Sequence, residues 1–530
     1  MRPAIVMLLG GLLCCPASAA THFDGVGWWD TVRVLADDRF EGRDTGSPGE
    51  RAARRYLERR LAAAGIPTVE QPLELLSRTL VEADSSMALV RGGREIPLVL
   101  GDQAYFSTRV DLAPHVDAPL VFVGYGLTVA DAHHDDFAGL DVRGAIVVVM
   151  SGSPSSMSTP LAAHAQSAAE RWKALRAAGA IGMLLIPNPA AMDIPWERMA
   201  LNRSHPSMVL VGREFDDSAG AQFSGILNPA HAELVFEGTE HRFAEIAELA
   251  KERRPLPRFV LPARLHASTH VESRAVHSAN LISTVRGSDP VLRDEYVVLS
   301  AHLDHLGIGE PIRGDRINNG AMDNASGSAL LLDVATSLAT ERTKPRRSVL
   351  FVWVTGEEKG LLGSRYYASR PTVPVERIVA DINTDMFLPI VPLQVLTVYG
   401  LEESDLGGVA TRVAHSLGYR TQGDAEPLRN LFVRSDQYSF IKQGIPSLSL
   451  KVGYEPGSAD EAVMRRWLSA RYHAPSDDTG QPVDLAAAAG FEEVIRELAV
   501  RIANEPARPT WNDDSFFRIY ERGRPASRAR

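Results

Sequence analysis

The chain has 530 residues, more than one ordinary core accommodates, so roughly two to four domains are expected. Hydrophobic residues make up 45% and charged residues 23%, the balance of a soluble globular protein. A net charge of −10 and a pI near 5.9 give nucleic-acid binding no electrostatic support.

Residues 1–20, MRPAIVMLLGGLLCCPASAA, read as a secretory signal. Arg2 supplies the positive start, Ala4 to Cys15 the apolar stretch, and Ala17-Ser18-Ala19 the cleavage site. The apolar run is too short to span a bilayer, so no stable membrane anchor is expected after cleavage. Leu13 before Cys14, and Cys14 before Cys15, do not fit the small residue that precedes a lipoprotein cysteine. The mature chain is therefore expected in the periplasm or the medium. Both cysteines of the chain lie in this segment. Disulfides and a cysteine nucleophile are thus excluded from the mature protein, and any metal site must use His, Asp and Glu.

Residues 21–115 read as the first part of a catalytic domain. The turn-rich ADDRFEGRDTGSPG leads into a helix, ERAARRYLERRLAAAGI, ending near Gly65. The texture changes at 116–265: APLVFVGYGL, GAIVVVMSG and IGMLLIP read as buried strands and SAAERWKALRAAGA as a helix. This segment is compact enough to be a separate inserted module, with KERRPLPRFVLPARLH as the return linker. Residues 266–530 form the main part. NLISTVRG, YVVLSAHLDHL, RSVLFVWVTGE, RIVADINTDMF, LQVLTVYG and IPSLSLKVG are strand candidates, alternating with helix candidates SGSALLLDVATSLAT, GLLGSRYYAS and GFEEVIRELAVRIAN. That alternation predicts an α/β fold, a mostly parallel sheet with helices on both faces, whose ligands bind beyond the carboxyl ends of the strands. The short basic end, RGRPASRAR, reads as a disordered tail, not a nucleic-acid arm.

Chemistry-bearing residues gather at those strand ends. YVVLSAHLDHL closes with His302, Asp304 and His305. By strand alternation His302 and Asp304 share a face and His305 points away, which reads as structural. An Asp two residues from a His can fix the imidazole tautomer for ligation, although an HxDH cluster alone is more readily a surface feature. Asp323, before SGSALLL, is by itself an N-cap, but its Gly- and Ser-rich surroundings allow close backbone approach. FVWVTGEEKGLLG delivers the adjacent Glu357 and Glu358. RIVADINTDMF carries Asp381 and Asp385, with Asp385 nearer the strand end and Asp381 marking an edge or a hydrogen bond. RYHAPSDD places His473 in a loop. Together these supply His, Asp, Glu, Asp and His, ligands suited to zinc in a hydrolytic site. Five ligands exceed the three that one catalytic zinc needs and suit two ions about 3.5–4 Å apart with a bridging carboxylate.

SAHLDH, MDNASGSA, TGEEKGLLGS, NTDMF, RSDQYSFIKQGIPS and YHAPSDD, in this order over about 280–505, closely resemble the secreted zinc aminopeptidases with co-catalytic metals, a family that includes glutamate carboxypeptidase II. The resemblance implies two Zn²⁺ per chain and peptide substrates. It implies His302 and Asp385 on one zinc, Glu358 and His473 on the other, and Asp323 bridging. It makes Asp304 the partner of His302 and Glu357 the general base. It also implies a cis peptide after Asp323, followed here by Asn324 where the family often has a second Asp. VFVGYGLTVADAHHDDFAGLDVRGAIVVVMSG and AAERWKALRAAGAIGMLLIP resemble the inserted protease-associated domain of many members. Its HHDD, His133 to Asp136, reads either as a solvated loop or as a metal cluster. Within the same chemistry, a carboxypeptidase or dipeptidase for small acidic substrates would need basic residues near the metals, with Arg434 as the motif-adjacent candidate. A glutaminyl-cyclase-like transferase uses one zinc, and a non-catalytic binding protein of the transferrin-receptor kind has lost its ligands; neither suits this residue set. The pocket for the substrate's N-terminal residue is expected among loops such as LKVGYEPGSADEA.

Overall fold

The structure, a computed structural model, describes residues 22–522. The segment read as a secretory signal and the basic tail from residue 523 lie outside the described residues. Two large sheets organise the rest. The first has nine strands, in the order 207–210, 68–80, 271–285, 348–354, 296–302, 378–383, 447–452, 395–399 and 420–422. Its centre is parallel, with 348–354, 296–302, 378–383 and 447–452 running together. The flanks are not: 68–80, 271–285 and 395–399 pair antiparallel with their inner neighbours. A mostly parallel sheet is therefore present only at its middle. The outer antiparallel pairing comes from a long ribbon in which Thr68–Leu80 runs against Val271–Val285.

That ribbon brackets an excursion of the chain. Between its two strands lies the second sheet, with eight strands ordered 94–98, 86–91, 259–268, 115–122, 146–150, 182–186, 223–227 and 104–106. It takes in strands from Ser86 onward, ahead of the expected 116, because Met87 and Leu89 pair against Ala267 and Leu265 and share their apolar core. One strand of the excursion, Ser207–Leu210, leaves this sheet and pairs with Arg78–Leu75 at the edge of the first.

The central strands form because SVLFVWV and YVVLSAH are runs of β-branched and apolar residues. Every residue of Ser348–Val354 is buried, as expected for strands covered on both faces. The helix Ser326–Thr340 covers one face and buries Leu330, Leu331, Leu332, Val334 and Leu338. Leu485–Asn504 packs beside it through Phe491, Ile495, Leu498 and Ile502. Trp28 and Trp353 donate their indole N–H groups to the carbonyls of Ser326 and Ser328 at 2.9 and 3.0 Å, anchoring the helix start. Gly327 permits a close approach there: a Cβ would stand 2.3 Å from the Thr384 carbonyl oxygen. This brings the helix start against the strand end that carries Asp385.

Candidate metal centre

His302 is the last residue of its strand, Glu357 and Glu358 follow Ser348–Val354, and Asp385 follows Ile378–Asn383. Three strands thus deliver these side chains to one carboxyl-terminal edge. Asp323 reaches them from the kinked turn Ala321–Ala325, where the Asp323–Asn324 peptide is cis. His473 arrives from the turn after helix Ala459–Ala470, with a left-handed backbone at φ 54°.

His302 Nε2 lies 3.2 Å from Asp323 Oδ1 and 3.4 Å from Asp385 Oδ1. On the other side of Asp323, His473 Nε2 lies 3.3 Å from both Asp323 Oδ2 and Glu358 Oε2. Asp323 therefore offers one oxygen to each group, the arrangement of a bridging carboxylate. His305 also enters the second group, with Nδ1 2.7 Å from Glu358 Oε1 and 3.8 Å from Asp323 Oδ2. The strand ends at His302, so alternation does not govern residues 304 and 305, and the backbone turns His305 back toward the cluster. There its N–H donates to the Arg43 carbonyl at 3.1 Å.

The residues fit bound metal. Glu358 Oε1 and both ring nitrogens of His305 are buried without a hydrogen-bond partner, although Oε1 and Nδ1 stand in close contact. Lone pairs that converge without a hydrogen bond between them suit a shared cation. Among the described residues two metal-ligand groups form, His302 with Asp323 and Asp385, and His305 with Asp323 and Glu358, all nitrogen and oxygen donors. The charge balance agrees. Burial alone would push the His473 imidazole down, yet Glu358 and Asp323 raise it to about 10. Burial likewise opposes the charged form of His302, and Asp323 and Asp385 hold it well above its ordinary value. The cluster thus favours positive charge at its centre. The HHDD stretch belongs to neither group: His134 pairs with Asp136 at 2.9 Å, and Asp136 accepts the Leu127 N–H at 3.0 Å.

Surrounding residues hold the ligands in place. His302 Nδ1 is 3.0 Å from the Asp304 backbone carbonyl but 3.9 Å from its carboxylate. A proton on Nδ1 bonded to that carbonyl leaves Nε2 free to ligate. The Asp304 carboxylate instead accepts the Glu357 N–H at 3.1 Å and the Thr45 hydroxyl at 2.9 Å, and burial raises it to about 7. Asp385 Oδ2 accepts the Ser435 hydroxyl at 2.7 Å, and Ser435 in turn accepts from Asn383 at 2.8 Å. Asp381 accepts the Ser300 hydroxyl at 2.8 Å, behind the site. The buried Asp477 carboxylate accepts the N–H groups of Met322 and Asp323 at 2.9 and 3.0 Å and so fixes the turn that aims Asp323.

Arg43 is a residue that sequence reasoning missed. Fully buried, it donates to the carbonyls of Leu35, Asn319, Leu303 and Gly320 at 2.7 to 2.9 Å. Burial lowers it to about 10, while Asp477, Asp323, Asp304 and Glu358 act in its favour as an internal counter-charge. Within EGRDTG nothing marks it as interior, because its burial depends on strands some 260 residues away.

The centre opens into a cleft of about 460 Å³, counting solvent at its mouth, with Glu357, Asp385 and His473 beside Tyr399, Arg434 and Lys451. Burial holds the Glu357 carboxyl well above its ordinary value, His302 opposes this, and Asp385 and Glu358 add to it.

Two ligand groups of nitrogen and oxygen donors that share one aspartate at the carboxyl edge of an α/β sheet suit zinc. Residues 280–499 match the model of peptidase family M28. A probable leucine aminopeptidase 2 of Aspergillus fumigatus is 27% identical over 41% of this chain and 42% of its own length. A probable glutamate carboxypeptidase of Zea mays, VP8, is 26% identical over 88% of this chain and 65% of its own length. The first match spans about two-fifths of the relative's length. An aminopeptidase structure from Aneurinibacillus sp. strain AM-1 shares the fold with a TM-score of 0.56 at 18% identity, over 92% of this chain and 95% of that one.

Proposed function

We propose that this chain is an exported zinc-dependent aminopeptidase that removes N-terminal residues from peptides with two zinc ions per chain. The carrying observation is Asp323, whose two oxygens face His302 and Asp385 on one side and Glu358 and His473 on the other. In this reading His302 and Asp385 hold one ion, Glu358 and His473 the other, and Asp323 both. Bound zinc supplies a Lewis acid that makes water a better nucleophile and takes up negative charge as a carbonyl is attacked.

The chain's own residues do the rest. Glu357 lines the cleft, and the Asp304 carboxylate fixes its backbone. Its carboxylate accepts the proton of the attacking water and, as the carboxylic acid, returns it to the leaving amine. Arg198 ties the excursion to the helix that precedes His473, donating to the carbonyls of Leu468 and Ser469 at 3.1 and 2.7 Å. The sheet of residues 86–268 would be a protease-associated domain that shapes this access and has no chemistry of its own.

The test is hydrolysis of matched peptides with free and acetylated N-termini by the zinc-loaded mature chain. Cleavage that needs the free amine and stops on chelation supports the reading. Indifference to the acetyl group moves it to a carboxypeptidase or another hydrolase at the same centre. The maize relative motivates that second reading, but Arg434, the basic residue it would use, is already paired with Asp193 at 2.9 Å.

A further inference from the structure

Two basic side chains, Arg434 and Lys451, line the cleft, with Arg429 near them, and the three are not equivalent. Arg434 pairs with Asp193 at 2.9 Å, and Arg429 pairs with Asp193 and with Glu426. Lys451 forms no hydrogen bond or ion pair among the described residues; Asp385 and Asp323 act on it only through their longer-range field. It extends from strand Ser447–Val452, on the same face as Ser449, and both line the cleft with Asp323, Glu357 and Asp385.

A half-buried ammonium without a partner is costly. Its negative neighbours, Asp385 and Asp323, are the carboxylates assigned to bound cations, so holding zinc leaves Lys451 with still less compensation. Arg429 and Arg434 add like charge. Met386, Leu431 and Tyr399 supply an apolar wall beside the polar Ser435, Ser449 and Tyr472. An apolar wall beside one unpaired cation matches an aliphatic stem that ends in a carboxylate.

We propose that Lys451 is a specificity residue that binds a carboxylate of the substrate, in the first instance the side chain of an N-terminal glutamate or aspartate. This rests on the aminopeptidase reading above. The same ammonium chemistry would serve the terminal carboxylate of a short peptide, so the test separates the two sources.

The experiment uses the zinc-loaded full chain, wild type, Lys451→Met and Lys451→Glu. Fluorogenic amides of glutamate and its uncharged isostere glutamine are compared by kcat/KM, as are a leucyl dipeptide and its C-terminal amide. Calorimetry with free L-glutamate and L-glutamine supplies a readout independent of turnover. The wild type is expected to favour glutamate over glutamine by about 10- to 100-fold. Lys451→Met is expected to abolish that preference, and Lys451→Glu to shift it toward N-terminal lysine. A preference for the dipeptide over its amide that disappears in Lys451→Met supports the lysine's role and assigns the carboxylate to the peptide terminus. Equal handling within both pairs by the wild type, or a preference that survives both substitutions, overturns the proposal. If no substrate with a free amine is cleaved, the aminopeptidase reading fails, while equal or unequal calorimetric binding of the two amino acids still decides the role of Lys451.

Discussion

Asp304 holds Glu357 by its backbone: the carboxylate accepts the Glu357 N–H at 3.1 Å while the Asp304 carbonyl faces the His302 ring at 3.0 Å. One residue thus sets both the tautomer of His302 and the loop of Glu357. Glu357→Gln removes the proton acceptor but no ligand, so kcat is expected to fall about 10²- to 10⁴-fold with zinc content unchanged. Asp304→Ala is expected to cost about 10- to 100-fold in activity or metal affinity. Steady-state kinetics beside elemental analysis check both; ordinary turnover by the Glu357→Gln variant would remove the general base from the mechanism.

The ligand set predicts metal stoichiometry. Asp323→Asn removes the negative charge that both ions of the proposed pair would share and is expected to reduce zinc to less than one per chain. His473→Ala is expected to retain one, since His473 Nε2 stands 3.3 Å from Asp323 and Glu358 alike. His305→Ala is expected to keep two but to weaken the second, because its nitrogen is nearer Glu358 than Asp323, 2.7 against 3.8 Å. Metal analysis after dialysis reads all three. A His305 variant that loses an ion outright would exchange the roles of the two histidines.

Much of this centre is legible in the sequence. His302, Glu357, Glu358 and Asp385 end apolar strands, and polar residues at the mouths of buried runs are visible in a single chain. His305 is harder, because the strand stops at His302 and the turn beyond it is set by contact with Arg43, far away in the chain. The flanks of the sheet are harder for the same reason. Nothing local in SMVL announces that Ser207–Leu210 pairs with Arg78–Leu75 rather than with its sequence neighbours.

Asp193 joins the excursion to the peptidase part through Arg429 and Arg434, with little of its side chain exposed. Asp193→Ala leaves Arg434 without its carboxylate and Arg429 with Glu426 alone. Stability is expected to fall by about 3 kcal/mol, the low end for breaking a buried pair. With the cleft wall loosened, KM is expected to rise more than kcat falls. Denaturant titration and steady-state kinetics test the two parts separately; a variant with unchanged midpoint and KM would reduce the clamp to a surface contact.

Away from the metals, Asp333 and Glu492 face each other between helices Ser326–Thr340 and Leu485–Asn504. Burial raises Asp333 to about 6, with Arg60 opposing, and burial and Asp333 together raise Glu492 well above its ordinary value. Between the unfolded carboxyl range near pH ~4 and these folded values, the native state binds more protons than the unfolded one. Stability from this pair is therefore full in acid and declines as pH rises through about 6 and beyond. Glu492→Gln is expected to flatten that decline and to gain on the order of 1 kcal/mol at about pH 8. Urea midpoints of the zinc-free protein across pH check it, with metal-ligand protonation kept out of the comparison. An unchanged slope would mean the pair is solvated.

The strand Ser207–Leu210 gives the excursion a second attachment, away from the Thr68–Leu80 and Val271–Val285 ribbon through which it enters and leaves. A module tied at one place can be exchanged between enzymes like a cassette; this one cannot. Cutting it out at its two ends would strip the peptidase sheet of its outermost strand and bare the Leu75–Arg78 edge, a template for self-association. Substitution in this chain is therefore constrained to keep the two sheets as partners, and a graft that ignores the stitch would yield aggregates before it yielded a catalyst with a new preference.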